Sequence, residues 1–224
     1  MLFRNEDIVD LSHKIISGKE NFEYKAEIFD ATLMDPNAIH GEDVWYIATN
    51  IKINSHVGTH VEVPYHHQKD GADCAAYPLE NLIGEAIVIN ATGKKAREPI
   101  TLEEIRKYEA QMKPRDMIFF RTDFDLKYRE PNWEPFPYID EKAVIWLLEN
   151  INPKIIGTDA SGIEMPGTNH QPNHTRCFAN NTAIIESLTN LKEIEGLRTT
   201  VFVLVNKFVG VDASAVRVVA IKNL

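Results

Sequence analysis

The chain contains eight short runs rich in β-branched and other apolar residues, bounded by Gly, Pro, Asn or Asp. Runs of this length and composition are typical of β-strands that lie in or beside a core. They predict strands at residues 8–11, 45–53, 85–90, 117–122, 154–157, 182–186, 200–205 and 215–221. A chain with this many strands must pair them into sheets and cover those sheets with other elements.

Two segments between these strands predict helices. Thr101 can cap the first helix while the Glu104 side chain reaches back to it, which is a capping-box pattern. The second helix is expected to begin near Asp140 and to end at Asn150, before Pro153. The Gly-rich turn of a dinucleotide-binding sheet is absent from the sequence. The order of elements therefore predicts a mixed α/β fold rather than a doubly wound parallel sheet.

The composition is that of a globular protein. The 224 residues are 44% apolar and 25% charged, and this length suits one large domain over residues 1–224. The net charge of -9 argues against binding to nucleic acid, which requires clustered Lys and Arg. No apolar run approaches the roughly 18 residues that span a bilayer, and no signal-peptide pattern is present. We therefore expect a cytoplasmic protein with no membrane contact, with Cys74 and Cys177 as reduced thiols.

Histidines cluster in one short segment. Four of the eight lie within residues 56–67, and Glu62 lies among them, a combination that suits zinc, manganese or iron. Gly58 and the neighbouring valines disfavour a helix that would place His56 and His60 on one face. In an extended chain, the Cα atoms of these two histidines would be about 13 Å apart. A shared metal site therefore requires a bend at Gly58-Thr59.

A second group of polar residues lies downstream. Asp159 follows a strand-like run, His170 and His174 lie in a predicted loop, and Glu186 ends another apolar run. A carboxylate that ends a buried strand is costly unless it is paired or bound to metal, so Glu186 is either a ligand or an exposed strand end. Asp159 is either a residue that orients a ligand histidine or a turn aspartate.

These residues resemble the motifs of the cyclase family of metal-dependent hydrolases, the kynurenine formamidase-like and isatin hydrolase-like proteins. The family's segment is H-x-G-T-H-x-D-x-P-x-H, and residues 56–66 are HVGTHVEVPYH. Asp10–His13, the Gly157-Thr-Asp159 element, and His174 followed twelve residues later by Glu186 are similar to further family elements. These matches reach from the start of the chain to about residue 190.

The resemblance implies a swivelling β/β/α fold, usually in a homodimer or homotetramer, and one or two divalent metals, zinc or manganese. The implied metal ligands are His56, His60, Glu62, His174 and Glu186. In that scheme Glu62 also bridges toward the second metal, and His66 is the catalytic acid/base.

Two features of the chain depart from the family pattern. Glu62 stands where the family has Asp, which bears on the number of metals. Residues 15–24 lack the Pro-rich stretch that kynurenine formamidases place over an aromatic substrate, which bears on the substrate.

The chemistry implied is hydrolysis of a small amide, formamide or lactam, a C–N bond other than a peptide bond, by a metal-activated water. His66 would pass a proton to the departing nitrogen. The alternatives are a catalytically degenerate metal- or ligand-binding relative, or a serine or cysteine hydrolase, although no GxSxG elbow is present. His40 and His67 are interpreted as solvated side chains. Four aromatic residues are expected to pack in the core or on the surface rather than to contact substrate: Trp45, Tyr65, Phe136 and Tyr138.

Overall fold

The computed structural model describes residues 3–35, 37, 39, 41 and 43–222. The strands are β1 (Ile8–Asp10), β2 (Tyr24–Asp30), β3 (Ile47–Ile53), β4 (His60–Glu62), β5 (Ile83–Asn90), β6 (Pro99–Ile100), β7 (Met117–Arg121), β8 (Tyr138–Ile139), β9 (Ile155–Thr158), β10 (Ala183–Glu186), β11 (Thr199–Leu204), β12 (Ala213–Ala215) and β13 (Arg217–Ile221). The α-helices are α1 (Leu102–Arg106), α2 (Glu141–Asn150) and α3 (Pro172–Ala179).

One nine-stranded sheet organises these elements. Its strand order is β1-β13-β11-β5-β7-β9-β10-β4-β12, while β2 pairs with β3 and β6 pairs with β8 in separate two-stranded sheets. The central strands β5, β7, β9 and β10 run parallel, and the strands outside them pair antiparallel. No helix among the described residues is long and apolar enough to cross a membrane. The predicted mixed α/β fold is confirmed.

The sheet has an apolar core on each face, because successive side chains of a strand point to opposite sides. In β5, Val88 packs in one core, while Ile87 and Ile89 pack in the other. Helices α1, α2 and α3 cover the second core, and Leu147 of α2 is fully buried there. This two-sided burial explains why the central strands are nearly continuous apolar runs.

The predicted helix starts are both confirmed. The Thr101 side chain accepts a hydrogen bond from the Glu104 N–H, and Glu104 Oε2 accepts one from the Thr101 N–H at 2.8 Å. The Asp140 side chain accepts a hydrogen bond from the Lys142 N–H at the start of α2. These contacts satisfy N–H groups that have no partner within a helix.

The structure has one helix and five strands that the sequence prediction lacks: α3, β2, β4, β6, β8 and β12. The segment that carries His174 was expected to be a loop, but it is α3, which begins at Pro172 because proline is favoured in the first turn of a helix. Strand β2 was not predicted, although its alternation of charged and apolar residues is typical of a half-exposed strand. Strand β4 was not predicted either, because it is only three residues long.

Strand β4 places the histidine segment in the sheet. It lies between β10 and β12, and the register sets Glu186 opposite His60. Residues directly opposite in an antiparallel pair project to the same face. His60, Glu62 and Glu186 therefore project to one side of the sheet, at the end where β4 and β10 meet.

Candidate metal centre

The chain bends sharply between His56 and His60. Gly58 has a φ of +65°, and a Cβ placed on it would lie 2.8 Å from Ile15 Cγ1, so both the backbone conformation and the space require glycine. The bend brings His56 Nδ1 to 3.3 Å from His60 Nε2. The predicted bend at Gly58-Thr59 is confirmed.

Glu62 lies at the centre of the cluster and is buried, with 3% of its surface exposed. Its Oε1 is 2.9 Å from His56 Nδ1 and 3.5 Å from His60 Nε2. Its Oε2 is 3.3 Å from His174 Nε2. The two oxygens of one carboxylate therefore face different histidines.

Glu186 closes the cluster from β10. Its Oε2 lies 3.6 Å from His60 Nε2, and its Oε1 lies 3.4 Å from His174 Nε2. His174 lies on helix α3, which places its ring beside Glu186. The structure thus brings together all five residues predicted to bind metal, although they come from three different segments of the chain.

The rings of His60 and His174 are each held by a second contact. His60 Nδ1 lies 2.9 Å from the carbonyl oxygen of Gly58, and His174 Nδ1 lies 3.2 Å from Glu164 Oε1. Glu164 Oε1 also accepts a hydrogen bond from the backbone N–H of His174 at 2.9 Å. These contacts occupy Nδ1 and leave Nε2 of both rings for the centre of the cluster.

His66 lies beside the cluster, on the 3₁₀ turn Pro64–His66. Its Nε2 is 3.8 Å from Glu62 Oε1, and its Nδ1 is 2.7 Å from Asp212 Oδ2. About a quarter of the His66 side chain is exposed, while Glu62 is buried. His66 is therefore placed between the buried cluster and the open cavity.

Charges within the cluster shift the pKa values of its members. Burial alone would lower the pKa of His56, but hydrogen bonds with Glu62 and Asp212 outweigh it and raise that pKa to about 9. Burial opposes the charge on Glu62, yet its histidine neighbours hold its pKa well below the ordinary value. Burial and the nearby charge of Glu62 raise the pKa of Glu186. Protons and a cation compete for these same atoms.

The donor set fits a divalent metal. Atoms of His60, Glu62 and Glu186 that can bind an ion lie within 4.8 Å of one another, and so do those of His56, Glu62 and His66. Glu62 Oε2 is buried and makes no well-aligned hydrogen bond among the described residues, although His174 Nε2 lies 3.3 Å away, and a bound cation would satisfy this oxygen. Imidazole and carboxylate ligands suit zinc or manganese.

Asp159 does not orient a ligand histidine. Its carboxylate accepts hydrogen bonds from the backbone N–H groups of Thr122 and Asp123 and from the Thr122 hydroxyl. Burial raises its pKa to about 7. The turn-aspartate interpretation fits this position, at the end of β9, and Glu164 is the carboxylate that contacts His174 instead.

The remaining histidines lie outside the ligand set. His170 is exposed in the loop before α3, and His40 lies outside the described residues. The interpretation of His67 as a solvated side chain is wrong. Its Nε2 is 2.9 Å from Gln171 Oε1, and its ring stacks on His174 with centroids 5.6 Å apart.

Sequence reasoning missed two carboxylates of the site, Asp212 and Glu164. Asp212 is separated from His56 by more than 150 residues, so no spacing pattern could have linked them. Glu164 lies ten residues before His174, and a carboxylate near a ligand histidine was the available signal.

An open cavity of about 420 Å³ adjoins the cluster and is lined by His56, Glu62, His66, His174 and Glu186 together with Phe22, Phe136 and Met165. A neighbouring cavity of about 220 Å³ adds Tyr128 and Trp133. Of the four aromatic residues singled out in the sequence, Phe136 reaches this space. Trp45 is 82% exposed.

Residues 9–165 match the family model named Cyclase, which is more than half of the chain. The chain belongs to the cyclase family. A kynurenine formamidase from Erythrobacter litoralis (strain HTCC2594) is 28% identical over 170 residues, which are 75% of this chain and 73% of that protein. The family resemblance predicted from the sequence is confirmed.

Solved structures show the same fold. Isatin hydrolase A from Labrenzia aggregata, bound to benzyl benzoate, has a TM-score of 0.82 and 21% identity over 97% of this chain and 94% of that one. Isatin hydrolase A from Ralstonia solanacearum has a TM-score of 0.81 and 20% identity, over 95% and 90% of the two chains. These likenesses confirm the fold that the cyclase family resemblance implied.

Proposed function

We propose that this cyclase-family protein is a metal-dependent hydrolase that cleaves a C–N amide, formamide or lactam bond of a small molecule. One observation carries the proposal. Three histidines and two glutamates converge at 2.9–3.6 Å around a buried centre, and that centre opens into a cavity. Kynurenine formamidase and isatin hydrolase, which the chain resembles, are named for hydrolysis of a formamide and of a lactam.

The metal ligands in this proposal are His56, His60, Glu62, His174 and Glu186. When bound, a divalent metal supplies a water of lowered pKa and polarises the carbonyl under attack. We propose zinc or manganese, one or two per chain. The two carboxylate oxygens of Glu62 support a second metal, because Oε1 faces His56 and His60 while Oε2 faces His174.

His66 is the proposed acid/base. Its Nδ1 contacts Asp212, so its Nε2 remains available toward the buried centre and the cavity. From there His66 can hold a proton and give it to the departing nitrogen, a step worth about 10²–10⁴-fold in rate. Glu62 and Glu186 are buried and are assigned to the metal in this proposal, whereas about a quarter of the His66 side chain is exposed.

The cavity favours a small substrate with an apolar or aromatic part. A volume of about 420 Å³ lies within the range of small-molecule sites, and the aromatic rings of Phe22 and Phe136 line it. Such rings bury the flat face of a substrate, while the reacting carbonyl points toward the histidines.

The test is hydrolysis of N-formyl aryl amines and aryl lactams by chelated protein before and after addition of zinc or manganese. We expect turnover that requires added metal. His66→Ala is expected to keep metal and lose turnover, while His170→Ala, which removes an exposed histidine, should change neither. Intact turnover in His66→Ala would remove His66 from the proposed role.

A degenerate binding protein is the second candidate, because Glu62 replaces the Asp of the family segment. Glu62→Asp separates the two functions. If the parent is inert with metal bound and the variant hydrolyses any of these substrates, the chain is a degenerate relative.

We also propose a homodimer or homotetramer as the assembly. The hairpin of β2 and β3 has one apolar face, because Ala26 pairs with Ile51 and Ile28 lies beside them. Ile28 is 64% exposed and Ile51 is 59% exposed. A two-stranded hairpin with an exposed apolar face is unstable alone, so a second copy is expected to cover it. Ile51→Lys should lower the mass measured by light scattering, and Lys52→Ala on the opposite face should not.

The cytoplasmic location stays a prediction.

A further inference from the structure

A single carboxylate oxygen joins two parts of the site. Asp212 Oδ2 lies 2.9 Å from His56 Nε2 and 2.7 Å from His66 Nδ1. His56 is a proposed metal ligand and His66 is the proposed acid/base. Asp212 follows the segment that the family model matches, which ends at residue 165.

The position of Asp212 is fixed by the sheet. It directly precedes β12, which pairs with the metal-binding strand β4, and its carbonyl oxygen accepts a hydrogen bond from the Val63 N–H at 3.0 Å. Its other carboxylate oxygen, Oδ1, accepts a hydrogen bond from the Ser55 hydroxyl at 3.0 Å. The carboxylate is therefore held from three sides: by its backbone, by Ser55 and by the two rings.

This geometry determines which nitrogen each ring presents to the site. An ionised carboxylate only accepts hydrogen bonds, so both ring nitrogens that contact Asp212 must donate. A neutral imidazole that donates at one nitrogen offers a lone pair at the other. With a metal bound and the rings neutral, His56 would thus present Nδ1, the atom that lies 2.9 Å from Glu62 Oε1, whereas His66 would present Nε2. His60 and His174 present Nε2 under the control of different acceptors.

We propose that Asp212 is a positioning residue that sets the ring orientation and tautomer of His56 and His66 together. This inference rests on the proposed function for the role of His66. It predicts that metal binding and acid/base action depend on one side chain that contacts neither the substrate nor the centre of the ligand cluster. Partners of this kind typically alter metal affinity by about 10–100-fold when they are removed.

Three variants test the proposal. Asp212→Ala removes the acceptor, and Asp212→Asn keeps one oxygen that can accept from both rings, with its amide group turned toward Ser55. His170→Ala, which removes an exposed histidine outside the site, is the matched control. The measurements are the zinc affinity by titration calorimetry, the ¹⁵N NMR shifts of labelled histidines in zinc-loaded protein, and kcat and KM.

We expect the parent to show His66 protonated at Nδ1 and His56 protonated at Nε2. In Asp212→Ala, these signals should move toward other tautomers, zinc affinity should fall about 10–100-fold, and kcat should fall more than KM changes. Asp212→Asn should recover the tautomers and most of the zinc affinity, and His170→Ala should match the parent. Unchanged tautomers and unchanged zinc affinity in Asp212→Ala would overturn the proposal.

The NMR and calorimetric results do not depend on turnover. If the parent hydrolyses no substrate but the tautomers of Asp212→Ala change as expected, the proposed function fails and the positioning role of Asp212 stands. If the parent is active and the tautomers do not change, the positioning role fails alone.

Discussion

His13 makes the stability of the protein sensitive to acid. Its ring stacks on Tyr128 with centroids 3.9 Å apart, and its Nε2 is buried with no hydrogen-bond partner among the described residues. Burial lowers the pKa of His13 from 6.5 to about 4, and the charge of Arg129 acts in the same direction. The charges of Asp125 and Glu20 oppose the shift without cancelling it.

The sign and size of the effect follow from proton linkage. Between pH 6.5 and 4 the unfolded chain binds a proton at His13 that the folded chain does not, so stability falls as the pH falls through this window. Each pH unit costs about 1.4 kcal/mol. The loss of unfolding free energy is therefore about 2 kcal/mol at pH 5 and about 3 kcal/mol at pH 4, relative to pH 7.5.

His13→Phe isolates this contribution, because phenylalanine keeps a ring against Tyr128 and does not titrate. Urea unfolding of chelated protein at pH 7.5, 6 and 5 gives the free energy of unfolding for parent and variant. We expect the variant to gain about 2 kcal/mol relative to the parent between pH 7.5 and pH 5. His170→Ala, at an exposed position, should follow the parent. Parallel curves for parent and His13→Phe would refute the reasoning.

Three further changes test the site and its support. Glu62→Gln removes the central negative charge and should abolish metal binding with the far-UV circular dichroism unchanged; a variant that keeps full metal content would contradict the ligand assignment. Gly71→Ala places a methyl 2.8 Å from the backbone carbon of Pro64, so it should cost about 1–3 kcal/mol in urea unfolding and lower kcat by displacing the His66 turn; unchanged stability and kcat would contradict this. Asp159→Ala should lower the unfolding free energy by about 2 kcal/mol with metal content intact, and loss of metal would restore Asp159 to the site.

Much of the fold could be predicted because the buried strands are short runs of apolar residues that are visible in the sequence. The eight apolar runs all became strands: seven of them fill the cores of the nine-stranded sheet, and the eighth is β3 in the exposed two-stranded hairpin. Strand β4 could not be predicted from its three residues, because its strand character comes from pairing with β10 and β12. Helix α3 has too few apolar residues to show a clear helical period, and its burial comes from packing against the sheet.

Part of the candidate site could likewise be predicted from the sequence, and part could not. The segment from His56 to His66 could be recognised because its ligands are close in sequence and its one unusual requirement, the bend, is marked by Gly58. Asp212 and Glu164 could not be assigned in this way, because only the strand register and the start of α3 bring them to the histidines. Asp159 was proposed for the orienting role from its place after a strand, but its carboxylate is occupied by backbone N–H groups of the neighbouring turn.

The central claim is that the residues around Glu62 hold a metal. The most direct test is elemental analysis of metal per chain for protein purified without chelator or affinity metal, compared with His60→Ala prepared in the same way. We expect stoichiometric zinc or manganese in the parent and its loss in the variant, because His60 Nε2 faces both Glu62 and Glu186. A parent that contains no metal, even after incubation with zinc and with manganese, would contradict the claim and the hydrolase proposal with it.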